Sequence, residues 1–335
     1  ENLLRIIMRT LIFSIAFTLF LLGCSDTDSV LKLPEMNSYD DEQNVVLEKF
    51  EWLGFPPSIV RTERISEDLA VIFGYGGNVL VSVGDDGVLI VDSQFPEVYE
   101  AIMGEIKKLG GDSVDYIINT HFHFDHAEGN RAFGMQGAKI IAHENSVDFF
   151  ERGADIDMVA LRWPQQSYEK EARPTLTYSD QMTLHFNDHT IEIRNYGPAH
   201  TTGDSFIFFK ESNVLHMGDV ANLTGLPYID AGNGGTVDGM IYSIKKALKM
   251  TDENTIVVPG HGEISGREEL EIYLAKIELV RNRVFNMIED GMSLQEILQE
   301  DPGAEVFPSS PFDAGFGIPA SHTFVDRAYA SMKKN

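Results

Sequence analysis

Short apolar runs punctuated by glycine and aspartate open the ordered part of this chain. Residues 69–73 and 78–83 are such runs, the turn-forming Gly84-Asp85-Asp86-Gly87 follows, and residues 88–91 continue the pattern; together they predict a β-meander. The rhythm then changes. Residues 96–109 predict a helix with a proline in its first turn and Gly110-Gly111 at its end, followed by short strands at 116–119 and 139–142. Helical stretches are expected to about Trp163. Strands are expected near 181–186, 189–196, 204–209 and 213–217, then a helix over 236–250 with Thr236 as N-cap and a strand at 255–258.

Two more helices are each announced by a Ser-x-x-Glu capping box, Ser265 to Glu268 and Ser293 to Glu296, which satisfies free backbone N–H groups at a helix start. Leu270, Leu274, Ile277, Val280, Val284 and Ile288 give the first an apolar stripe. Residues 302–320 read as a loop and 321–333 as a last helix. No repeat of solenoid or propeller period is present. Strands in two groups with helices around them predict an α/β sandwich of two sheets covered outside by helices.

The N-terminus has a different character. Arg5 and Arg9 precede the uncharged residues 10–22, and Gly23-Cys24-Ser25-Asp26 follows. A run of about thirteen residues is short of the roughly 20 that span a membrane and matches the apolar core of a signal peptide. Leu21-Leu22-Gly23-Cys24 resembles a bacterial lipoprotein box. This predicts a signal peptide over 1–23, a lipidated Cys24 with a polar tether over 24–45, a main domain over 46–300 and a C-terminal extension over 301–335 packing on it. A short uncleaved anchor is the alternative, and both export the domain; the lipoprotein reading anchors it to a membrane, facing the periplasm.

Charge and cysteine content narrow the chemistry. With 26 basic against 52 acidic residues the formal net charge is −26, so the long-range field repels nucleic acid. Cys24 is the only cysteine, so no internal disulfide forms and a metal site in the main domain must use His, Asp or Glu.

His121-Phe122-His123-Phe124-Asp125-His126 follows the strand at 116–119. On an extended segment His121 and His123 point to the same side and can reach one cation, while Asp125 and His126, where the chain turns into a helix, can reach a second. Burying several imidazoles without a cation would leave donors unpaired. Further on, Pro198-Ala199-His200-Thr201 lies in a loop between strands, Met217-Gly218-Asp219 follows a strand, and so does Pro259-Gly260-His261.

HxHxDH followed by His, Asp and His, each after a strand, resembles the metallo-β-lactamase superfamily of metallohydrolases over about residues 65–290. The resemblance implies a four-layer αββα sandwich of two mixed sheets with a two-metal site at one edge. His121, His123 and His200 would hold the first metal, Asp125, His126 and His261 the second, and Asp219 would bridge them. Two zinc ions suit these ligands, though ligand type also admits iron or manganese. Two such ions lower the pKa of a shared water and polarise a carbonyl, which is hydrolytic chemistry; Asp125 would orient the nucleophile and pass a proton to the leaving group. The remaining histidines, His143, His185, His189, His216 and His322, read as structural or solvated. Asp92 reads as either a brace for the metal loop or a turn cap.

Departures from the subfamilies narrow the substrate. Many β-lactamases of this superfamily carry cysteine at the place of Asp219 and a lysine three residues on; this chain has Asn222, a hydrogen-bond donor without charge. The glutathione-thioester enzymes carry a tyrosine and asparagine soon after the last histidine, where this chain reads Gly262-Glu263-Ile264-Ser265. The expected substrate is a small ester, lactone or amide, β-lactams among them. Tyr75, Tyr228 and Trp163 are candidates for the pocket lining. A mononuclear iron sulfur dioxygenase-like enzyme and a hydroxyacylglutathione-hydrolase-like thioesterase of the same fold are the alternatives, with a binding lipoprotein without turnover as a third.

Overall fold

The computed structural model describes residues 60–159, 162–224, 227–307, 319 and 321–333. The apolar run at 10–22, Cys24, the tether at 24–45 and most of the loop at 302–320 lie outside the described residues. Among the described residues no helix is long and apolar enough to cross a membrane.

The first sheet is built from β1 (Arg61–Arg64), β2 (Leu69–Phe73), β3 (Val79–Gly84), β4 (Gly87–Val91), β5 (Tyr116–Ile118) and β6 (Lys139–His143). After a separate antiparallel hairpin of β7 (Ala154–Asp157) and β8 (Arg162–Gln165), β9 (Leu176–Tyr178) closes its far edge. The meander β1 to β4 is antiparallel, whereas β4, β5, β6 and β9 run parallel. The second sheet takes β10 (Gln181–Phe186), β11 (His189–Arg194), β12 (Phe206–Phe209), β13 (Val214–His216) and β14 (Ile256–Val258), antiparallel except for the last pair.

The inward side chains of both sheets make one core: Leu69, Val71, Leu80, Leu89, Val91 and Ile118 from the first meet Phe186, Ile191, Ile207, Val214 and Val258 from the second. The intervening residues Ala70, Ile72, Val81, Ile90 and Ile117 are buried as well, because helices cover the outer face. Here α1 (Tyr99–Leu109) packs on β3. The one-turn α2 (Phe124–Ala127) precedes α3 (Asn130–Met135), which packs on β6, and α4 (Val147–Arg152) follows. On the second sheet's outer face, Phe206, Leu215, Met217 and Val257 share a core with α5 (Val237–Leu248), α6 (Arg267–Glu289), α7 (Leu294–Glu300) and α8 (His322–Lys333). The result is helices, sheet, sheet, helices, a four-layer sandwich of mixed sheets.

Several elements differ from the sequence reading. The helical expectation to Trp163 ends at α4, where Gly153 takes φ 84°, and the chain turns into the β7–β8 hairpin instead. The box expected at Ser265 to Glu268 does not form; one residue later Gly266 is the N-cap of α6 and only the returning half of a box is present, Glu269 Oε2 accepting the Gly266 N–H at 3.0 Å, since Ser265 is held in a bridge to Val257. The Ser293–Glu296 box on α7 and the Thr236 cap on α5 form as expected. The edge strands β1 and β9 went unforeseen; β1 is Arg-Thr-Glu-Arg, largely exposed and without an apolar period, and β9 is only three residues long.

The carboxyl ends of the parallel pairs β4–β5 and β13–β14 fall at the same edge of the sandwich. Loops leaving parallel strands there cannot continue the ladder and are free to carry a site.

Candidate metal centre

β5 stops at Ile118, and Thr120 is caught by the loop after β4: its N–H and hydroxyl donate to the two oxygens of Asp92, each at 2.7 Å. The chain then runs extended to α2. Alternate side chains turn opposite ways. Phe122 stacks on Phe149 with ring centres 4.0 Å apart, and Phe124 on Trp163 at 4.3 Å, so the aromatic pair anchors the segment while His121 and His123 face the second sheet's loops. Trp163, expected to line a pocket, is buried in this stack.

The hydrogen bonds fix which ring nitrogen each histidine leaves bare. The single hydroxyl proton of Thr120 goes to Asp92, so His121 Nδ1–H donates to Thr120 Oγ1 at 2.9 Å, and its buried Nε2 has no hydrogen-bond partner among the described residues. His123 Nε2–H donates to Asp230 Oδ2 at 2.9 Å, His126 Nδ1–H to Asp92 Oδ2 at 2.7 Å, and His200 Nδ1–H to the Tyr228 carbonyl at 2.8 Å. What remains is a set of ring nitrogens aimed at each other: His123 Nδ1 and His200 Nε2 are 3.0 Å apart, and His126 Nε2 and His261 Nε2 are 3.2 Å apart. Facing lone pairs repel unless a cation or proton lies between them.

The carboxylates complete the arrangement. Asp219, just past β13, approaches His126 Nε2 at 3.1 Å, His261 Nε2 at 3.5 Å and His200 Nε2 at 3.9 Å. Asp125 Oδ2 lies 3.0 Å from His261 Nε2 and 3.6 Å from His126 Nε2. Three groups of ligand atoms gather within 4.8 Å: His121 with His123 and His200; His121 with His126 and Asp219; and Asp125 with His126 and His261. All seven residues singled out by the motif reading therefore meet at one place. The side chains of Asp125 and His261 are 21% and 23% exposed, those of His123, His126 and His200 5% or less, so the site opens to solvent on the Asp125–His261 side.

Electrostatics divide the cluster in two. Burial, reinforced by the neighbouring imidazoles, holds His121 well below the ordinary histidine pKa, and burial with His123 lowers His200. Burial pulls the same way on His126 and His261, but the carboxylates of Asp219 and Asp125 outweigh it: His126 is held well above its ordinary value and His261 is raised. The imidazoles outweigh burial at Asp219, which stays well below the usual carboxylate range, and at Asp125, which is also lowered. The His121–His200 side is thus a neutral nitrogen donor set, and the other side pairs carboxylates with imidazoles that hold protons in the ion's place.

Backbone without side chains lets the loops close in. A Cβ on Gly77 would overlap the His126 ring, and one on Gly260 would overlap the Asp219 carboxylate. Asn78 sutures the His261 loop to β3, its Nδ2 donating to the carbonyls of Pro259 and Gly262, each at 2.9 Å. The His200 loop is held by Asp204, which accepts the Thr201 N–H at 2.9 Å and its hydroxyl at 2.8 Å.

Other residues find their places. Asn222 stands beside His261 in a parallel bridge, and its amide oxygen accepts from the Thr224 N–H at 3.2 Å and hydroxyl at 2.6 Å. Tyr228 borders the centre, its ring 5.5 Å from that of His200. Tyr75, in the glycine-rich β2–β3 turn, is half-buried. Asp92 is a brace, bonded to Thr120 and His126. His216 lies buried in β13, bonded to the Asn78 carbonyl at 3.0 Å, and His189 pairs with Asp68 at 2.6 Å. Sequence reasoning missed Thr120 and Asp230. Asp230 opens the Gly-rich stretch that leads into α5; an Asp three residues before Asn233, whose N–H it accepts at 3.1 Å, is the one local signal.

Comparison with known proteins agrees with this geometry. A sequence profile of the Metallo-beta-lactamase superfamily matches residues 72–261, more than half of the chain. A probable metallo-hydrolase of Methanocaldococcus jannaschii is 26% identical over 204 residues, 58% of this chain and 92% of that protein. A metallo-β-lactamase of Chryseobacterium indologenes is 24% identical over 221 residues, 64% of this chain and 84% of that protein. Among solved structures, a metallo-β-lactamase from Pontibacter korlensis superposes with a TM-score of 0.55 at 17% identity, covering 65% of this chain and 99% of that one, and shares the fold. The chain belongs to the metallo-β-lactamase superfamily, and it is a metallohydrolase of that superfamily.

Proposed function

We propose that this protein is a di-zinc hydrolase of small, neutral or weakly polar ester, lactone or amide bonds, β-lactams included. The observation that carries the reading is the Asp219 carboxylate, set between the His121–His123–His200 nitrogen group and the Asp125–His126–His261 group. His121, His123 and His200 would hold one ion, Asp125, His126 and His261 the other, and Asp219 both; the bare Nε2 of His121 and the facing ring nitrogens fit such ions. When bound, the ions supply Lewis-acid charge to a carbonyl and lower the pKa of a water.

The chain's own residues do the rest. Asp125, ionised and at the open side, is placed to orient a nucleophile, accept its proton and return it to a leaving group. With its oxygen committed to Thr224, Asn222 would offer its NH2, a donor suited to a carbonyl or oxyanion. Tyr228 walls the site beside His200. The lipoprotein-box pattern ending at Cys24 supports export and membrane anchoring, which would put the enzyme where foreign small molecules arrive.

The test is hydrolysis of a chromogenic cephalosporin, together with a panel of lactones and aryl esters, by zinc-loaded protein with and without a chelator. Chelator-sensitive turnover of any of these is the expected result. Full zinc occupancy with no turnover across the panel would overturn the substrate class. Radiolabelled palmitate incorporation that survives Cys24→Ser would overturn the anchor.

A further inference from the structure

Two parts of the chain outside both large sheets converge behind the His123–His200 pair. The first is the β7–β8 hairpin. Pro164 of β8 lies opposite Asp155 and has no N–H, so Asp155, and Asp157 two residues on, fall at non-hydrogen-bonded pairs and turn their carbonyls out of the ladder. Both carbonyls are taken up by the loop after Asp219. Asn233 Nδ2 donates to the Asp155 carbonyl at 3.0 Å, and the Tyr228 hydroxyl donates to that of Asp157 at 2.9 Å.

Each of these donors also serves a histidine. Asn233 Nδ2 donates to Asp230 Oδ2 at 2.7 Å, the oxygen that receives the His123 Nε2–H. The Tyr228 carbonyl receives the His200 Nδ1–H. The second converging part is α8. Its Arg327, with a side chain 13% exposed, pairs with Asp157 Oδ2 at 3.0 Å and donates to the Asp157 carbonyl at 3.4 Å, and it pairs with Asp326.

We propose that Tyr228 and Arg327 are positioning residues for the metal centre. Arg327 fixes the end of β7, the Tyr228 hydroxyl docks on the carbonyl fixed there, and the Tyr228 carbonyl holds the His200 ring with Nε2 toward the ion. The C-terminal helix thereby sets the geometry of a ligand more than a hundred residues away in sequence. Outer partners of metal-bound imidazoles commonly change metal affinity by about 10–100-fold, and a planar guanidinium that grips one carbonyl and one carboxylate is a rigid element for that purpose. The inference rests on the zinc reading of His200.

Zinc affinity of the metal-free full chain, measured by competition with a chromophoric chelator, and the visible spectrum of the Co2+ form test it. Tyr228→Phe, which removes one oxygen, and Arg327→Met are each expected to weaken the zinc held by His200 roughly ten-fold and to shift the cobalt spectrum. Because the two act in series, the double variant should lose little more than the worse single one, and Arg327→Lys should recover only part of the loss. Arg283→Met is the control: Arg283 ties down the same C-terminal region through the Pro302 carbonyl at 2.7 Å and Glu305 at 2.7 Å without touching the hairpin, so it should lower Tm and leave affinity and spectrum unchanged. Tyr228→Phe and Arg327→Met proteins that bind zinc within about two-fold of the unaltered chain with the same cobalt spectrum, or an equal loss in Arg283→Met, would overturn the brace. Absence of zinc binding by the unaltered chain would instead overturn the metal reading, and the brace with it.

Discussion

Asp92 adopts φ 63°, a left-handed conformation that glycine takes freely and aspartate tolerates better than most residues. The strain sets its carboxylate where it accepts three protons, from the Thr120 N–H, the Thr120 hydroxyl and His126 Nδ1–H. An amide of the same shape has one acceptor oxygen and turns an NH2 toward donors. Asp92→Asn is therefore expected to fold and to lose about 10–100-fold in zinc affinity, read by chelator competition; unchanged affinity would show that Asp92 is a turn residue only. The split in protonation gives a second expectation. His126 and His261, raised by Asp219 and Asp125, keep their protons until pH rises through their elevated pKa, so zinc must displace protons from that side and its affinity there rises as pH increases across neutrality. His121 and His200 are lowered and already neutral, so their side keeps its affinity as pH falls until their depressed pKa is reached. Zinc titrations of the metal-free protein between about pH 6 and pH 8 should resolve one pH-dependent and one nearly pH-independent ion; two ions with the same pH slope would contradict it.

Among the elements, those with a strong local signal and those with none behaved differently. α5 begins where its sequence says, because Thr236 accepts the Gly239 N–H at 3.0 Å and satisfies one of the four free donors of a helix start. Thr236→Ala should cost about 1 kcal/mol, seen as a lowered denaturant midpoint at unchanged slope; because the cap sits at the end of the loop that holds Asp230, a loss confined to stability separates cap from site. The β7–β8 hairpin shows the opposite case. Arg162-Trp163-Pro164-Gln165 carries an aromatic residue and no alternation, and what makes it a strand is contact: Trp163 on Phe124, Gln165 Nε2 on the Phe122 carbonyl at 2.8 Å, and Pro164 facing the one strand that needs no N–H from it. Tertiary burial overrode a local pattern that reads as helical.

At the scale of the whole molecule the site is an expense in the metal-free fold. Four imidazoles and the Asp219 carboxylate are buried where two sheets meet, close enough to repel or to hold protons, and ions that bind only the folded chain would relieve this. Zinc should accordingly raise Tm: free metal at about 100 times its Kd contributes about 2.7 kcal/mol, and removing it with a chelator should reverse the gain in calorimetry, whereas a Tm indifferent to the chelator would mean that the cluster holds no ion. The sandwich and most of this site were legible in the sequence, because strand runs, helix caps and the His-x-His-x-Asp-His spacing are local features whose physics acts within a few residues. Spacing alone put His121 and His123 on one side of an extended segment and made His126 the head of a turn. It could not reveal that Pro164 turns two carbonyls of β7 toward Tyr228 and Asn233, that Asp230 would receive the His123 proton, or that Arg327 would lie behind them. Those partners are separated by up to 170 residues, and nothing in a local pattern encodes which loops of two sheets come to share one edge. The seven clustered side chains were written in the sequence, and their orientation was decided only when the chain closed around them.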